Sequence, residues 1–211
     1  MDEQLEKYLT EMLTQSPDWV KKIETFAKEN NIPIMEPLGI DFLMQIVRMK
    51  RPGKILEIGT AIGYSALRMQ EAYPESQIVS IERDEVRYKE AIANISSLKK
   101  EDNIKVIFGD ALDKVEEIRK NGPYDLLFID AAKGQYQRFF EIYSRFLTDN
   151  GTIVSDNVLF KGIVASKNEE NKRLNKIAGK IRHYNDWLVG HPDYHTSILP
   201  IGDGVAVSVK R

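Results

Sequence analysis

The chain has no cysteine. That excludes disulfides, thiolate zinc centres and a thiol nucleophile, and it fits a reducing cytoplasm. Histidine is scarce. His191 and His195 are four residues apart, but Pro192 and Asp193 interrupt the helix that would align them, and His183 stands alone. No apolar run approaches the roughly 20 residues of a membrane span. The start, Met1-Asp2-Glu3-Gln4, is acidic and polar, unlike a secretion signal. A cytoplasmic protein with no membrane partner is therefore expected. The net charge is only −2, which does not by itself point to nucleic acid; the placement of charge matters more than its sum. Trp19 and Trp187 read as core or interface residues. No linker, repeat or low-complexity tract divides the 211 residues, a length that suits one α/β domain.

What is present begins with helices. Leu5, Tyr8, Leu9 and Met12 repeat at helical spacing. Ser16-Pro17-Asp18 restarts the pattern with an N-cap and a proline at the first helical position. Trp19, Ile23 and Phe26 continue it, and a third helix spans about residues 37–49 before Arg51-Pro52-Gly53. Residues 1–50 thus form a helical prefix, either a cap over the sheet or a dimer contact. From residue 54 strands and helices alternate. Strands are expected at 54–58, 77–82, 104–109, 124–130 and 151–155, with helices near 63–73, 84–99, 111–120 and 134–147. This order gives a parallel sheet with helices on both faces. A charged helix at about 168–188 follows. Strands at 195–201 and 205–210 are joined by Gly202-Asp203-Gly204, a connection short enough for an antiparallel hairpin.

The first strand runs into Glu57-Ile58-Gly59-Thr60-Ala61-Ile62-Gly63-Tyr64-Ser65. The spacing is Gly-x-x-x-Gly, not the Gly-x-Gly-x-x-Gly that seats a pyrophosphate. A nucleoside without a diphosphate suits it, S-adenosylmethionine foremost, and a nicotinamide oxidoreductase does not. In an open α/β sheet ligands bind beyond the carboxyl ends of the strands, and here those ends are acidic. Glu82 closes the second strand, where an acid accepts hydrogen bonds from ribose hydroxyls. Asp110 and Ala111 follow the third, Asp130 the fourth, and Asp156-Asn157 the fifth. Each aspartate could instead cap the helix that follows. Asp130, Asp156 and Asn157, with no His or Cys beside them, make a hard-oxygen set suited to Mg²⁺. Lys133, three residues beyond Asp130, is a candidate general base for a hydroxyl.

These residues carry a family resemblance. Leu56–Ser65, Phe128-Ile129-Asp130-Ala131-Ala132-Lys133, Ser155-Asp156-Asn157-Val158-Leu159 and Pro200-Ile201-Gly202-Asp203-Gly204 resemble the cation-dependent O-methyltransferases related to catechol and caffeoyl-CoA O-methyltransferase. The resemblance covers the chain from Ile34 onward. It implies a Rossmann-like class I methyltransferase: a mostly parallel seven-stranded sheet with a C-terminal antiparallel hairpin strand, a core over 54–211 and a cap over 1–50. It further implies that Glu57, Gly59 and Gly63 bind S-adenosylmethionine and that Ser65 holds its methionine portion. Glu82 would meet the ribose, Asp110 and Ala111 the adenine, and Met35 would cover the cofactor. Asp130, Asp156 and Asn157 would bind Mg²⁺. Asp130 would also lie near the cofactor, and Lys133 would be the base. A homodimer is expected.

Within the family the chain also resembles the bacterial branch that methylates the 5-hydroxyl of wobble uridine in the tRNA anticodon loop, giving 5-methoxyuridine. The residues add support. Lys161, Lys167, Lys172, Arg173, Lys176, Lys180 and Arg182 stand against only Glu169 and Glu170 in that span. Such a patch suits backbone phosphates, or it is a solvated helix face. The alternative substrate is a small catechol or phenylpropanoid at the same metal site. A nucleoside-binding protein without catalysis would have no need of the Asp130/Lys133/Asp156/Asn157 set.

Overall fold

The computed structural model describes residues 3–160, 162–165 and 171–211. Three helices, α1 (Glu3–Glu11), α2 (Asp18–Glu29) and α3 (Pro37–Lys50), precede the first strand. Then come β1 (Lys54–Ile58), α4 (Tyr64–Ala72), β2 (Gln77–Glu82), α5 (Glu85–Ser97), β3 (Ile104–Phe108), α6 (Val115–Asn121) and β4 (Tyr124–Ile129). A 3₁₀ turn at Lys133–Gln135 leads into α7 (Tyr136–Tyr143), followed by β5 (Leu147–Ser155), α8 (Lys172–Val189), β6 (Tyr194–Leu199) and β7 (Val205–Lys210). The seven strands run in the order β3-β2-β1-β4-β5-β7-β6. β1 to β5 pair in parallel, and β7 is antiparallel to both β5 and β6. The expected sheet, with its antiparallel hairpin strand, is what forms.

The strands are apolar on both faces because each face is covered, the pattern of a buried parallel sheet. Leu56, Ile58, Ile81, Leu127 and Ile129 face α6, α7 and α8 through Ile118, Phe140, Tyr143, Tyr184 and Leu188. Ile55, Ile78, Leu126, Phe128 and Val154 face the other way, onto Val20, Ile23, Leu43, Val47 and Leu67 of α2, α3 and α4. Val20, Leu43 and Val47 are fully buried, and each such side chain contributes on the order of 1.5–3 kcal/mol. α2 and α3 are therefore part of the core. α1 differs: Leu5, Tyr8 and Met12 at and just beyond it are exposed in the single chain.

Several element limits differ from expectation for local reasons. α2 starts at Asp18, with Pro17 at its N-cap position and no side-chain cap, so Ser16 does not cap it. β3 and β4 stop one residue early, at Phe108 and Ile129, which frees Asp110 and Asp130 from the ladder. Asp110 Oδ1 accepts from the Leu112 N–H at 2.9 Å, and this turn delays α6 to Val115. α7 ends at Tyr143 and β5 begins at Leu147, four residues sooner than the pattern suggests. β6 closes at Leu199. α8 ends at Val189, so no helix aligns His191 with His195; His191 instead packs among Phe140, Trp187 and Tyr194. Lys161, Lys167, Glu169 and Glu170 lie outside the described residues.

Candidate active site

The strand order reverses between β1 and β4, the switch point at which an open α/β sheet leaves a crevice. A cavity of about 570 Å³ opens there, within the roughly 300–1,000 Å³ of small-molecule sites. The carboxyl ends of β1 to β5 line it, together with the β6–β7 turn and residues 33–36 leading into α3. Met35, Gly59, Glu82, Asp110, Ala111, Asp130, Lys133, Asp156 and Asn157 all stand on its wall.

One half is built by the ends of β1, β2 and β3. Gly59 has φ +105°, and a Cβ there would overlap the Asp130 carbonyl oxygen; only glycine lets the β1 exit pass β4 so closely. The loop's N–H groups are turned to use. Ala61 N donates to Glu82 Oε2 at 2.8 Å, while Arg83 N and Asp84 N donate to Oε1 at 2.9 and 2.8 Å. A carboxylate offers about four acceptor positions, so roughly one is left for a ligand hydroxyl. Asp110 Oδ2 lies 3.6 Å from the Arg83 guanidinium. The Ala111 carbonyl accepts from the buried Tyr143 hydroxyl, which fixes the β3 exit.

Glu57, Gly63 and Ser65 are not on the wall. Glu57 is fully buried and lies opposite Ser80 in the β1–β2 register. Its two oxygens accept from the Ser65 and Ser80 hydroxyls. Burial raises its pKa to about 7. Gly63 takes φ +84° as it opens α4.

The other half is built by β4, β5 and the β6–β7 turn. Asp130 N and Asp156 N donate to the carbonyls of Ile58 and Ile129, each at 3.0 Å, which sets the two carboxylates at neighbouring strand ends. Both carboxyls have raised proton affinity. Burial is the main cause for each, and for Asp156 the second is the charge of Asp130. Asn157 adopts φ +61°, a conformation asparagine tolerates better than most residues. Its Nδ2 donates to Asp156 Oδ2 at 2.7 Å, and Lys133 Nζ donates to its Oδ1 at 3.0 Å. The Lys133 ammonium also lies 5.5 Å from the Phe160 ring centroid.

The β6–β7 turn adds a residue the sequence did not single out as a ligand. Asp203 lines the cavity, and its charge raises the proton affinity of both Asp130 and Asp156. The turn is strapped to the β5 exit by Leu159 N and Phe160 N, which donate to the Asp203 carbonyl at 2.9 and 3.0 Å. Arg83, Arg87 and Gln135 also line the cavity without having been anticipated. For Asp203 the available signal was Gly202-Asp203-Gly204 itself, which reads first as turn chemistry.

Among the described residues no group of three or more His, Cys, Asp or Glu side chains is gathered so as to hold a metal ion alone. The donor set is Asp130, Asp156 and the Asn157 amide, all hard oxygens, with no histidine on the cavity wall. A buried Asp156 whose proton affinity is raised by the neighbouring, half-buried Asp130 fits a divalent cation between the two, because the cation removes the repulsion.

A model of a family described as O-methyltransferase matches residues 10–211. The flavonoid 3',5'-methyltransferase of Vitis vinifera is 31% identical over 184 residues, 84% of this chain and 77% of that protein. A Staphylococcus aureus structure provisionally assigned as a caffeoyl-CoA O-methyltransferase superposes with TM-score 0.93 at 35% identity, covering 99% of this chain and all of that one. A Bacillus cereus O-methyltransferase solved in complex with SAH shares the fold, with TM-score 0.84 at 24% identity over 99% and 97% of the two chains.

Proposed function

The chain belongs to this O-methyltransferase family and is an S-adenosylmethionine-dependent enzyme; from that premise we propose Mg²⁺-dependent methyl transfer to the 5-hydroxyl of wobble 5-hydroxyuridine in tRNA, giving 5-methoxyuridine. The observation that carries the reading is one cavity with two unlike halves. Glu82 with its spare acceptor position suits a ribose on one side; Asp130, Asp156, Asn157 and Lys133 crowd the other.

Asp130, Asp156 and Asn157 would hold Mg²⁺, which when bound neutralises the two carboxylates and lowers the pKa of a coordinated hydroxyl. S-adenosylmethionine supplies an electrophilic methyl. Glu82 accepts from the ribose, Asp110 and Ala111 border the adenine, and Met35 closes the cavity from the α3 side. Lys133, as its neutral amine, would take the proton of the substrate hydroxyl; the substrate oxygen would then bond to the methyl carbon in line as the C–S bond breaks and S-adenosylhomocysteine leaves. No residue forms a covalent bond. The protein contributes orientation, worth up to roughly 7–11 kcal/mol in well-aligned systems. A ring hydroxyl with an oxygen on the next carbon suits the oxygen-lined half, and 5-hydroxyuridine offers this through its 5-hydroxyl and 4-carbonyl. The reading extends to a homodimer through α1, whose Leu5 and Tyr8 are exposed in the single chain; mass in solution tests that part.

A second reading, a small catechol or phenylpropanoid as acceptor, is favoured by the Vitis vinifera relative. One assay separates them: labelled S-adenosylmethionine is supplied with tRNA lacking the final methylation or with a panel of catechols. Label in tRNA at the wobble uridine, lost in excess chelator, is the expected result. Label only in catechols would replace the substrate while keeping the chemistry.

A further inference from the structure

Outside the cavity, the strongest unexplained feature is the solvent face of α8. Lys172, Arg173, Lys176, Lys180 and His183 are not buried in the fold; all five are exposed. At 100° per residue they fall within roughly 100° of arc. The buried residues Ala178, Ile181, Tyr184 and Leu188 hold the other side against the sheet. The helix carries a single acid, Asp186, past the end of the stripe. Among the described residues Lys172, Arg173, Lys176 and Lys180 form no ion pair. Arg182 is different, because its Nη1 donates to the Val164 carbonyl at 3.1 Å and so anchors the preceding turn.

The stripe leads to the active site. Lys180 Nζ lies 3.0 Å from where a Cβ on Gly134 would stand. Gly134 is the middle residue of the 3₁₀ turn that carries Lys133 and Gln135, both on the cavity wall. From Lys172 to Lys180 the helix advances about 12 Å. This row of cations, with no ion-pair partner among the described residues, ends at the turn that carries Lys133. A solvated face would carry acids and bases interspersed.

The geometry points to α8 as the docking track for the phosphodiester backbone of the RNA, with Lys176 and Lys180 binding phosphates that flank the nucleotide in the cavity. This rests on the tRNA reading above. A base reaches the cavity only when unstacked, as in a single-stranded loop, and phosphates on either side then pass over the rim where Lys180 stands. Contacts of this kind position the strand and carry no sequence information.

The test is equilibrium binding of an anticodon stem–loop RNA carrying 5-hydroxyuridine, measured from low to high salt. Wild type is compared with Lys176→Gln/Lys180→Gln and with Lys99→Gln/Lys100→Gln. The second pair removes the same charge from the opposite edge of the sheet, at the loop after α5. The α8 variant should bind roughly tenfold more weakly, and its log K versus log salt slope should be smaller by about 1.4, or 0.7 per lost phosphate contact on a single strand. The distant variant should match wild type. S-adenosylhomocysteine affinity and melting temperature report whether each variant is folded. If wild type binds and methylates the RNA and the two variants behave alike, the α8 track is wrong and the tRNA reading stands. If wild type neither binds nor methylates the RNA, both fall.

Discussion

The two halves of the cavity treat their carboxylates in opposite ways. Glu82 is surrounded by backbone donors, three N–H groups within 2.9 Å. Asp156 is set against Asp130, and both are set against Asp203, with one lysine nearby. The first arrangement is complete when the chain folds and needs only a neutral ligand to use its last acceptor position. The second is electrostatically unfinished. Burial favours protonation there, and protonation would end any role as metal ligands. A divalent cation would resolve the conflict, so the unfinished half is where chemistry is expected and the finished half is where a cofactor would be held.

The sharpest way to break that contrast is Asp156→Ala. It should lower kcat/KM by roughly 10³-fold or more, about 4 kcal/mol of transition-state stabilisation, while S-adenosylmethionine affinity by calorimetry stays within a few-fold. A comparable loss of cofactor affinity would mean the halves are not separate. Lys133→Ala should reduce turnover by roughly 10²–10⁴-fold with cofactor binding retained, read from single-turnover rates across pH. A pH–rate profile unchanged from wild type would end its assignment as base.

Glu57 joins the halves from below, and its prediction concerns stability. Its carboxyl titrates near the usual 4.5 when unfolded and at about 7 when folded. Between those values the folded state binds more protons than the unfolded one. Stability is therefore lost as pH rises from about 4.5 to about 7, by on the order of 3 kcal/mol, and stays lost above. Glu57→Gln keeps the Ser65 and Ser80 hydrogen bonds, because Ser80 can accept from the amide and donate to Thr60. The variant should gain in urea melts at pH 8 and show little gain at pH 4.5. An equal change at both pH values would contradict the buried-acid account. The smallest effect is expected from Glu82→Gln. It weakens cofactor binding by roughly 1.5–3 kcal/mol, the worth of a hydrogen bond to a charged group, and leaves Mg²⁺ affinity unchanged.

The contrast was only partly legible in the sequence. Glu82, Asp110, Asp130 and Asp156 could be found because strand ends follow from apolar runs, and the carboxyl edge of a parallel sheet is one place. Their different fates could not, because these depend on partners far along the chain. Ala61 reaches Glu82 only once β1 and β2 are paired. Asp203 belongs to a hairpin whose turn chemistry hides it until β7 docks against β5. Glu57 sits in an apolar strand that gives no sign of the serine opposite it. Helix starts were displaced where a side chain competed for the backbone, as Asp110 does ahead of α6. The α8 stripe could be counted in the sequence, but its meeting with Gly134 required the tertiary fold.

The central claim is that the Asp130–Asp156 pair works through a divalent cation. The direct measurement is methyl transfer from S-adenosylmethionine by the wild-type protein in excess EDTA, then after Mg²⁺ is restored, beside a calorimetric titration of Mg²⁺. The account predicts one bound ion, no transfer in EDTA and full recovery with Mg²⁺. Undiminished transfer in EDTA, with no heat of Mg²⁺ binding, would contradict it.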